Sequence, residues 1–458
     1  MRIFLIANLL LLVALDSAGQ LYNTGLVFDD DKYNASWVKP LSTHNDISSL
    51  PTAHSLKAYC PRPGNQLQMN SSAAWATSWS GLGILKAILT NTTGQDKIAA
   101  TCFSPAYVMA YIKPADDANC QNDLDLFEAL NFIYSEPLAL HRDINDFCPS
   151  RKELNVDQLV LNPVTGGFTR LIEQHMSPAQ KIFAVKKSIA HNYPVVNGMY
   201  CPPSFQDAKT YWQPHEYEKG EYPGQALCIV GYDDKMYGGS FEVINSWGSR
   251  WGNDGFMWIR YEDFLKFTRY AYDMFLIDKR PGEQNRISGS VQMRLNSEKS
   301  IPVQLQSPGI YKATSSLTGG SYFRIYLDKT SSSYIYVFGV DETNEYFRVF
   351  PHTDSVSPAI IYPDEEIALP GEDNYIKLTG NPGNEKLCIL YSLQPLDIEQ
   401  LLRKLKQLNG DIYENISILT DGKLMQPTDI SWAAGEMMFS AQANGQNMVL
   451  IQIDILHR

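Results

Sequence analysis

Asn245-Ser246-Trp247-Gly248-Ser249-Arg250-Trp251-Gly252-Asn253-Asp254-Gly255-Phe256 is the stretch that decides the fold of the first half of this chain. Two Trp-Gly pairs stand four residues apart and lead through an Asn-Asp-Gly turn into an aromatic strand. An asparagine at a strand end beneath a tryptophan can orient a neighbouring imidazole in a water-poor spot. Read for packing alone, Trp247 and Trp251 are core side chains. Short apolar, β-rich runs flank the stretch: Val195–Tyr200, Leu227–Tyr232, Phe241–Ile244 and Phe256–Arg260, separated by Gly, Asp and Asn turns. Leu227–Tyr232 is nearly all apolar, as a strand buried on both faces requires. Further upstream the spacing is helical: Trp75, Trp79, Leu82, Leu85 and Leu89 in Ala73–Leu89; Leu124, Phe127, Leu130 and Tyr134; Ile182, Val185 and Ile189. Helices first and strands afterwards predict an α+β arrangement, with a helical half facing a β half.

The run 245–256 resembles the asparagine motif of papain-like cysteine peptidases, NSWGxxWGxxGF/Y. Other stretches fall into that family's order. Pro63-Gly64-Asn65-Gln66 and Ser71-Ser72, opening the Ala73–Leu89 helix, resemble the nucleophile region, where an oxyanion glutamine precedes the catalytic cysteine by six residues. A helix N-terminus there lowers a thiol pKa and helps hold negative charge. Val185–Ala190 with Pro194-Val195-Val196 looks like the crossing that precedes the histidine strand, and Gly224–Asp233 like that strand itself. The resemblance covers roughly residues 50–275 and is nearest to bacterial branches of the family. It implies a two-lobed domain, a helical lobe plus a β-barrel-like lobe. Cys120 sits at a position resembling the family's cysteine after the second helix, whose usual partner here is Met69. Cys148 is the alternative partner, so a Cys120–Cys148 disulfide is expected.

The departures bear on function. The nucleophile position is Ser72 and the base position is Gln225, whereas Gln66, Asn245 and Trp247 are retained. A second register, Gln68 to Ala74, keeps the same spacing and also lacks a thiol. A serine hydroxyl is a poor nucleophile without an adjacent base, and glutamine does not titrate near neutral pH. Removing nucleophile or base from such a unit costs about a millionfold in rate. His215, in a loop ten residues before Gln225, is the nearest substitute base, and His191 reads as a C-terminal helix partner. The chain is thus expected to be a pseudoprotease that binds a peptide or protein in the old cleft or assists envelope assembly. The alternatives are a hydrolase using Ser72 or an unrecognised base, and a purely structural protein with a closed cleft. Glycine positions of the family pattern carry Leu67 and Asn70, and a bulky Leu67 tolerates positive φ badly.

With 458 residues the chain has room for two large domains or roughly three ordinary ones. Its 44% hydrophobic and 19% charged residues suit packed cores. A net charge of −12 argues against non-specific binding to nucleic acid or anionic membranes. Seven cysteines, with no CxxC and no HExxH, give no disulfide scaffold and no sequence-evident zinc site. No metal or cofactor is expected. Met1-Arg2, the apolar run Ile3–Leu15 and Ser17-Ala18-Gly19 read as a signal peptide over 1–19, cleaved before Gln20. The run is shorter than the roughly 20 residues of a membrane span. The mature protein is therefore expected to be exported, periplasmic or extracellular, with no membrane span.

The expected organisation is a papain-like domain over 20–280, a linker over 281–296 and a mainly β accessory domain over 297–458 with one helix, 397–409. Strands are expected at Tyr322–Leu327, Ser333–Val340, Tyr346–Phe350, Tyr375–Leu378, Leu387–Tyr391 and Asn447–Ile455. Tyr334, Tyr336 and Phe338 alternate with Ile335 and Val337, which predicts a central strand apolar on both sides. This half resembles, less specifically, a β domain of unknown function appended to bacterial papain-like and caspase-like proteins. It offers a surface for a partner or an envelope component.

Overall fold

The computed structural model describes residues 22–39, 50–144, 148–217, 220–277, 286–328, 330–361, 365–371, 374–379, 382–433 and 436–458. The expected signal peptide lies outside them, as do residues 281–285 of the expected linker.

The first half is a papain-like α+β fold. Three consecutive helical segments run from the site inward: Ser72–Ala74, the π-helical Trp75–Gly81, and Leu82–Leu89. The wide middle turn has a local cause. Thr77 and Ser78 hydroxyls donate to the carbonyls of Ala73 and Ala74 at 2.8 and 2.7 Å, competing with the backbone for those acceptors. Gly81 lets the helix approach the β lobe, since a Cβ there would meet Met274 Sδ at 2.4 Å. Helices Pro105–Ile112 and Leu126–Ser135 pack alongside, capped by the side chains of Ser104 and Asp125. Helix Pro178–Ala190 begins with a complete Ser177–Gln180 capping box.

Against these helices lies a ten-stranded sheet. Its main path runs Gly166–Arg170, Thr268–Leu276, Val195–Tyr200, Gly224–Asp233, Ser240–Ile244, Phe256–Arg260 and Tyr211–Trp212. Gly224–Asp233 is buried along nearly its whole length, as its continuous apolar run demands. Leu26–Val27, close to the first described residue, pairs with both Gly224 of this strand and Leu124–Asp125 of the helical side.

The second half is two sheets facing one another. A six-stranded sheet contains Arg286–Leu295, Tyr322–Asp328 and Met437–Gln442, and a seven-stranded sheet contains Ser333–Val340, Gly383–Ser392 and Met448–His457. The period-two alternation sorts the side chains. Ile335 and Val337 join the core between the sheets, with Val291, Ile325, Ile389 and Val449. Tyr334, Tyr336 and Phe338 face the other way, toward two helices and toward Phe275 and Ile277 of the first half.

Two expectations are corrected. Arg286–Leu295 is strand, not linker, pairing with Tyr322–Asp328 and Met437–Gln442, so the β half begins at 286 rather than 297. The single helix expected over 397–409 is Ile398–Leu405, capped by Asp397, and a second helix, Ile412–Leu419, follows with Asp411 as its cap.

Candidate functional site

Ser72 opens the helical segments at the junction of the two lobes, and it is fully buried. Its Oγ accepts a 3.1 Å hydrogen bond from the Ala226 N–H. Gln225, the residue before, is equally buried, and its Nε2 donates to Asn245 Oδ1 at 2.8 Å. The same Nε2 lies 3.4 Å from Gln66 Oε1, which also accepts from the Ser246 hydroxyl at 2.7 Å. The four polar positions expected from the sequence are therefore together, as a knot of amides and hydroxyls. Trp247 lies beside them, 2% exposed and edge-on to Trp251 at 5.3 Å. The lobes are held at this point by Gln66 N–H to Ser246 O and Gly248 N–H to Gly64 O, both 2.8 Å. Gly255 adopts φ +79, and a Cβ there would meet Pro63 Cβ at 2.3 Å, so the glycine ending the motif is required for that closure.

The knot has no base. Glutamine can orient and donate, but it does not exchange a proton near neutral pH. His215 does not supply one: its side chain is 82% exposed and lies 3.8 Å from its neighbour Glu216, so the alternative of a Ser72–His215 pair is not formed. His191 caps its helix, with Nδ1 2.8 Å from Lys187 O, as the sequence suggests. The alternative register also fails. Ala74 is interior to the helix, and the Gln68 carbonyl accepts from Asn23 and Gln121 side chains outside the knot. Leu67 does adopt positive φ, +53, at a position where the family pattern has glycine; Asn70 does not.

No thiol is activated elsewhere among the described residues. Cys60, Cys102, Cys201, Cys228 and Cys388 are buried, and burial pushes every one of their thiols up, Cys102 and Cys388 to about 12. Cys120 and Cys148 are joined in a disulfide. Among the described residues no group of three or more His, Cys, Asp or Glu side chains is placed to hold a metal ion.

What the sequence did not announce is that the cleft is occupied by residues 22–28 of the same chain. Gln66 Nε2, in the position that would face an oxyanion, donates instead to the carbonyls of Thr24 at 2.6 Å and Asn23 at 3.1 Å. Trp247 Nε1 donates to Asn23 O at 2.7 Å, and the Tyr22 ring stacks on Trp247 at 4.9 Å. Gly25 N–H donates to Gly224 O on the β lobe at 3.1 Å, and Leu124 N–H on the helical side donates to Gly25 O at 3.2 Å. Gly25 lies against the chain just ahead of Ser72: a Cβ on it would be 2.4 Å from the Asn70 carbonyl carbon. The only local hint in Tyr22–Phe28 is a glycine followed by Leu-Val-Phe, and that pattern does not say where the strand pairs.

Lobes, helix-borne nucleophile position and asparagine strand together define a papain-like peptidase homologue with Ser and Gln where that chemistry needs a thiol and an imidazole. Residues 167–271 match the papain family cysteine protease model, which includes Gln225, Asn245 and Trp247; residues 316–395 match a domain of unknown function, DUF4384. The chain is 31% identical over 104 residues to an uncharacterized peptidase C1-like protein, L477, of Acanthamoeba polyphaga mimivirus. That match covers 22% of this chain and only 32% of the relative's length. Among solved structures, xylellain, a cysteine protease from Xylella fastidiosa, is 16% identical, covering 56% of this chain and 97% of that one, with a TM-score of 0.42. Digestive procathepsin L2 from Tenebrio molitor larval midgut is 18% identical, covering 56% and 78%, with a TM-score of 0.44.

Proposed function

We propose that this protein is an exported, catalytically inactive papain-like homologue whose cleft binds an extended peptide. One observation carries the reading: the cleft is filled by a stretch of extended chain held mainly through its main chain, with the Tyr22 and Asn23 side chains adding contacts, and not by side chains of its own walls. Gln66, Trp247, Gly224 and Leu124 hold Asn23–Gly25 as they would hold a peptide. Inactivity follows from chemistry, since Ser72 has the Ala226 N–H as its partner and Gln225 is tied to Asn245. The Cys120–Cys148 disulfide supports a compartment outside the reducing cytosol. A structural reading with a permanently closed cleft is favoured by the complete burial of Gln66, Ser72 and Gln225. An active-site electrophile and a mixed peptide library test the inactivity: neither labelling near Trp247 nor cleavage is expected. Cleavage abolished by Ser72→Ala would overturn the reading.

A further inference from the structure

We propose that the cavity where the two halves of the chain meet is a second binding site, separate from the cleft, for a small neutral molecule built on an aromatic ring.

The cavity encloses about 330 Å³, at the lower end of the roughly 300–1,000 Å³ of ligand pockets. Separate parts of the chain wall it. Helix Leu126–Ser135 turns Leu126, Ala129, Leu130 and Ile133 into the core. Phe127, Asn131 and Tyr134 form a different face of that helix, again at helical spacing, and line the cavity. The edge strand Gly166–Arg170 supplies Phe168, the chain just before Val38 supplies Trp37, and the β half supplies Tyr334. These walls are fixed to one another. The Arg170 N–H donates to Trp37 O at 2.8 Å, and its guanidinium Nη1 donates to Ser36 O at 2.7 Å. The Tyr334 hydroxyl donates to Gly166 O at 2.9 Å across the junction. A Cβ at Gly166 would lie 2.1 Å from Phe275 O and 3.0 Å from Tyr134 Cε1, so only glycine lets the strand and the Tyr134 ring come together here. The cavity is therefore built before any ligand arrives.

Its lining selects the ligand. Rings come from both halves of the chain, and no charged side chain is among the described residues that line it. Burial pushes the Tyr134 and Tyr334 hydroxyls up, so both stay neutral near neutral pH. A charged ligand would lose its hydration there with no counter-charge in exchange. The Phe127 and Phe168 rings stand 78° apart with centroids at 5.7 Å, whereas Tyr134 and Phe168 are within 24° of parallel at 6.1 Å. Walls that meet near a right angle receive a flat ring face-on and edge-on at once, the two arrangements aromatic pairs favour. Hydrogen-bonding groups border this aromatic surface. Asn131 and Ser135 are exposed at the mouth. The Arg170 N–H and the Gly166 carbonyl both point away from the neighbouring strand Thr268–Leu276, and alternation gives the Phe168 N–H and C=O the same direction. The ligand is thus a flat neutral ring carrying a hydrogen-bonding group. A saccharide, with hydroxyls around its whole ring, would bury several of them unpaired against aromatic carbon.

The test titrates the full chain with indole by calorimetry. Saturable one-to-one binding is expected. Asn131→Trp plants a bulky ring in the mouth from an exposed position and should weaken binding at least about tenfold while leaving the melting temperature in place. Ser135→Trp, at the exposed end of the same helix, does the same if the first variant fails to fold. Indole carboxylate, the same ring system with a negative charge, should bind at least about tenfold more weakly than indole. No saturable binding of indole by the folded unmodified chain would overturn the proposal, and so would binding unchanged in a folded mouth variant. Equal affinity for the carboxylate, or tighter binding of N-acetylglucosamine than of indole, would overturn the ligand class.

Discussion

Ser72→Cys with Gln225→His restores the missing thiol and imidazole beside Gln66 and Asn245, and the arm that fills the cleft, residues 22–28, sets how much activity returns. An imidazole at 225 inherits the Asn245 Oδ1 that Gln225 now reaches at 2.8 Å, which is the contact that orients it. Nucleophile and base act as one unit worth about a millionfold, so either change alone should leave turnover at background. Even the pair works against the arm. Gln66 Nε2 is already engaged by the Thr24 and Asn23 carbonyls, and losing one oxyanion donor costs about 10²–10³-fold. The double revertant is therefore expected to cleave a mixed fluorogenic peptide library about 10²–10³-fold more slowly than the same protein carrying Gly25→Val, whose Cβ has no room beside Asn70 and so unseats the arm. Leu67→Gly should add a smaller gain by removing a left-handed leucine, worth about 1–2 kcal/mol locally. Asn70→Gly should help for another reason, because Asn70 Oδ1 accepts from the Asn23 side chain at 3.0 Å and so grips the arm. Iodoacetamide alkylation of the thiol introduced at position 72, followed against pH, gives a second readout: it should be slow with the arm seated and fast without it. Equal turnover with and without Gly25→Val would refute the closed-site argument, and turnover by Ser72→Cys alone would refute the paired-unit argument.

Reducing the Cys120–Cys148 bond, or Cys148→Ser, should lower stability by about 3–4 kcal/mol in the chain-entropy model, given the 28-residue separation; non-reducing peptide maps with either thiol free would contradict it. Asp273 is fully buried and is met by Lys39, Thr169 and Ser188. Asp273→Asn, which removes the buried carboxylate facing Lys39, should cost about 3–5 kcal/mol by denaturant unfolding, and a loss under about 1 kcal/mol would argue that this ion pair adds little to stability. Burial holds the Cys102 and Cys388 thiols at about 12 against an ordinary 9.0. A raised folded value means the stabilisation is whole below about pH 9 and lost as pH climbs toward 12, by up to about 1.4 kcal/mol per pH unit per thiol. Melting temperature should hold level from about pH 6 to 8 and fall beyond about 9; a level curve to about pH 11 would show that these thiols are not desolvated.

Much of the site is legible because its residues carry local constraints. Asn245 precedes a Trp-Gly turn that tolerates few other residues: Gly248, Gly252 and Gly255 all have positive φ. Ser72 and Gln66 are spaced by a helix start and the loop ahead of it. Tyr334–Phe338 declares two buried faces by alternation. Arg286–Leu295 reads as linker because Ser288, Gly289 and Ser290 have the composition of a turn, although Ile287, Val291 and Met293 are buried at alternate positions. Its register is set by partners such as Gln442, over 150 positions away, which no local window contains. Ile412–Leu419 is hidden because Gly410, at φ +106, reads as the stop of the preceding helix, which in fact ends at Leu405, and stands immediately before the cap of the next. The arm is invisible for the same reason as the strand: a two-residue pairing has meaning only once both lobes are in place.

Val38 ties this picture to the second half of the molecule. Its N–H donates to Ser355 O at 2.7 Å and its carbonyl accepts from Ser357 N–H at 2.9 Å, while the adjoining Trp37 carbonyl accepts from Arg170 N–H at 2.8 Å. One unbranched run of chain thus leads from the cleft, through the short helix Asp30–Ala35, to a seam stitched onto the β half. Between those two ends the run is pinned in the core at Asp30, which accepts from Tyr270, and at Tyr33, which donates to Ile172 O. The seam at Val38 and the residues in the cleft are therefore held by separate sets of contacts, and the first half keeps its hold on the β half whether or not residues 22–28 stay in place.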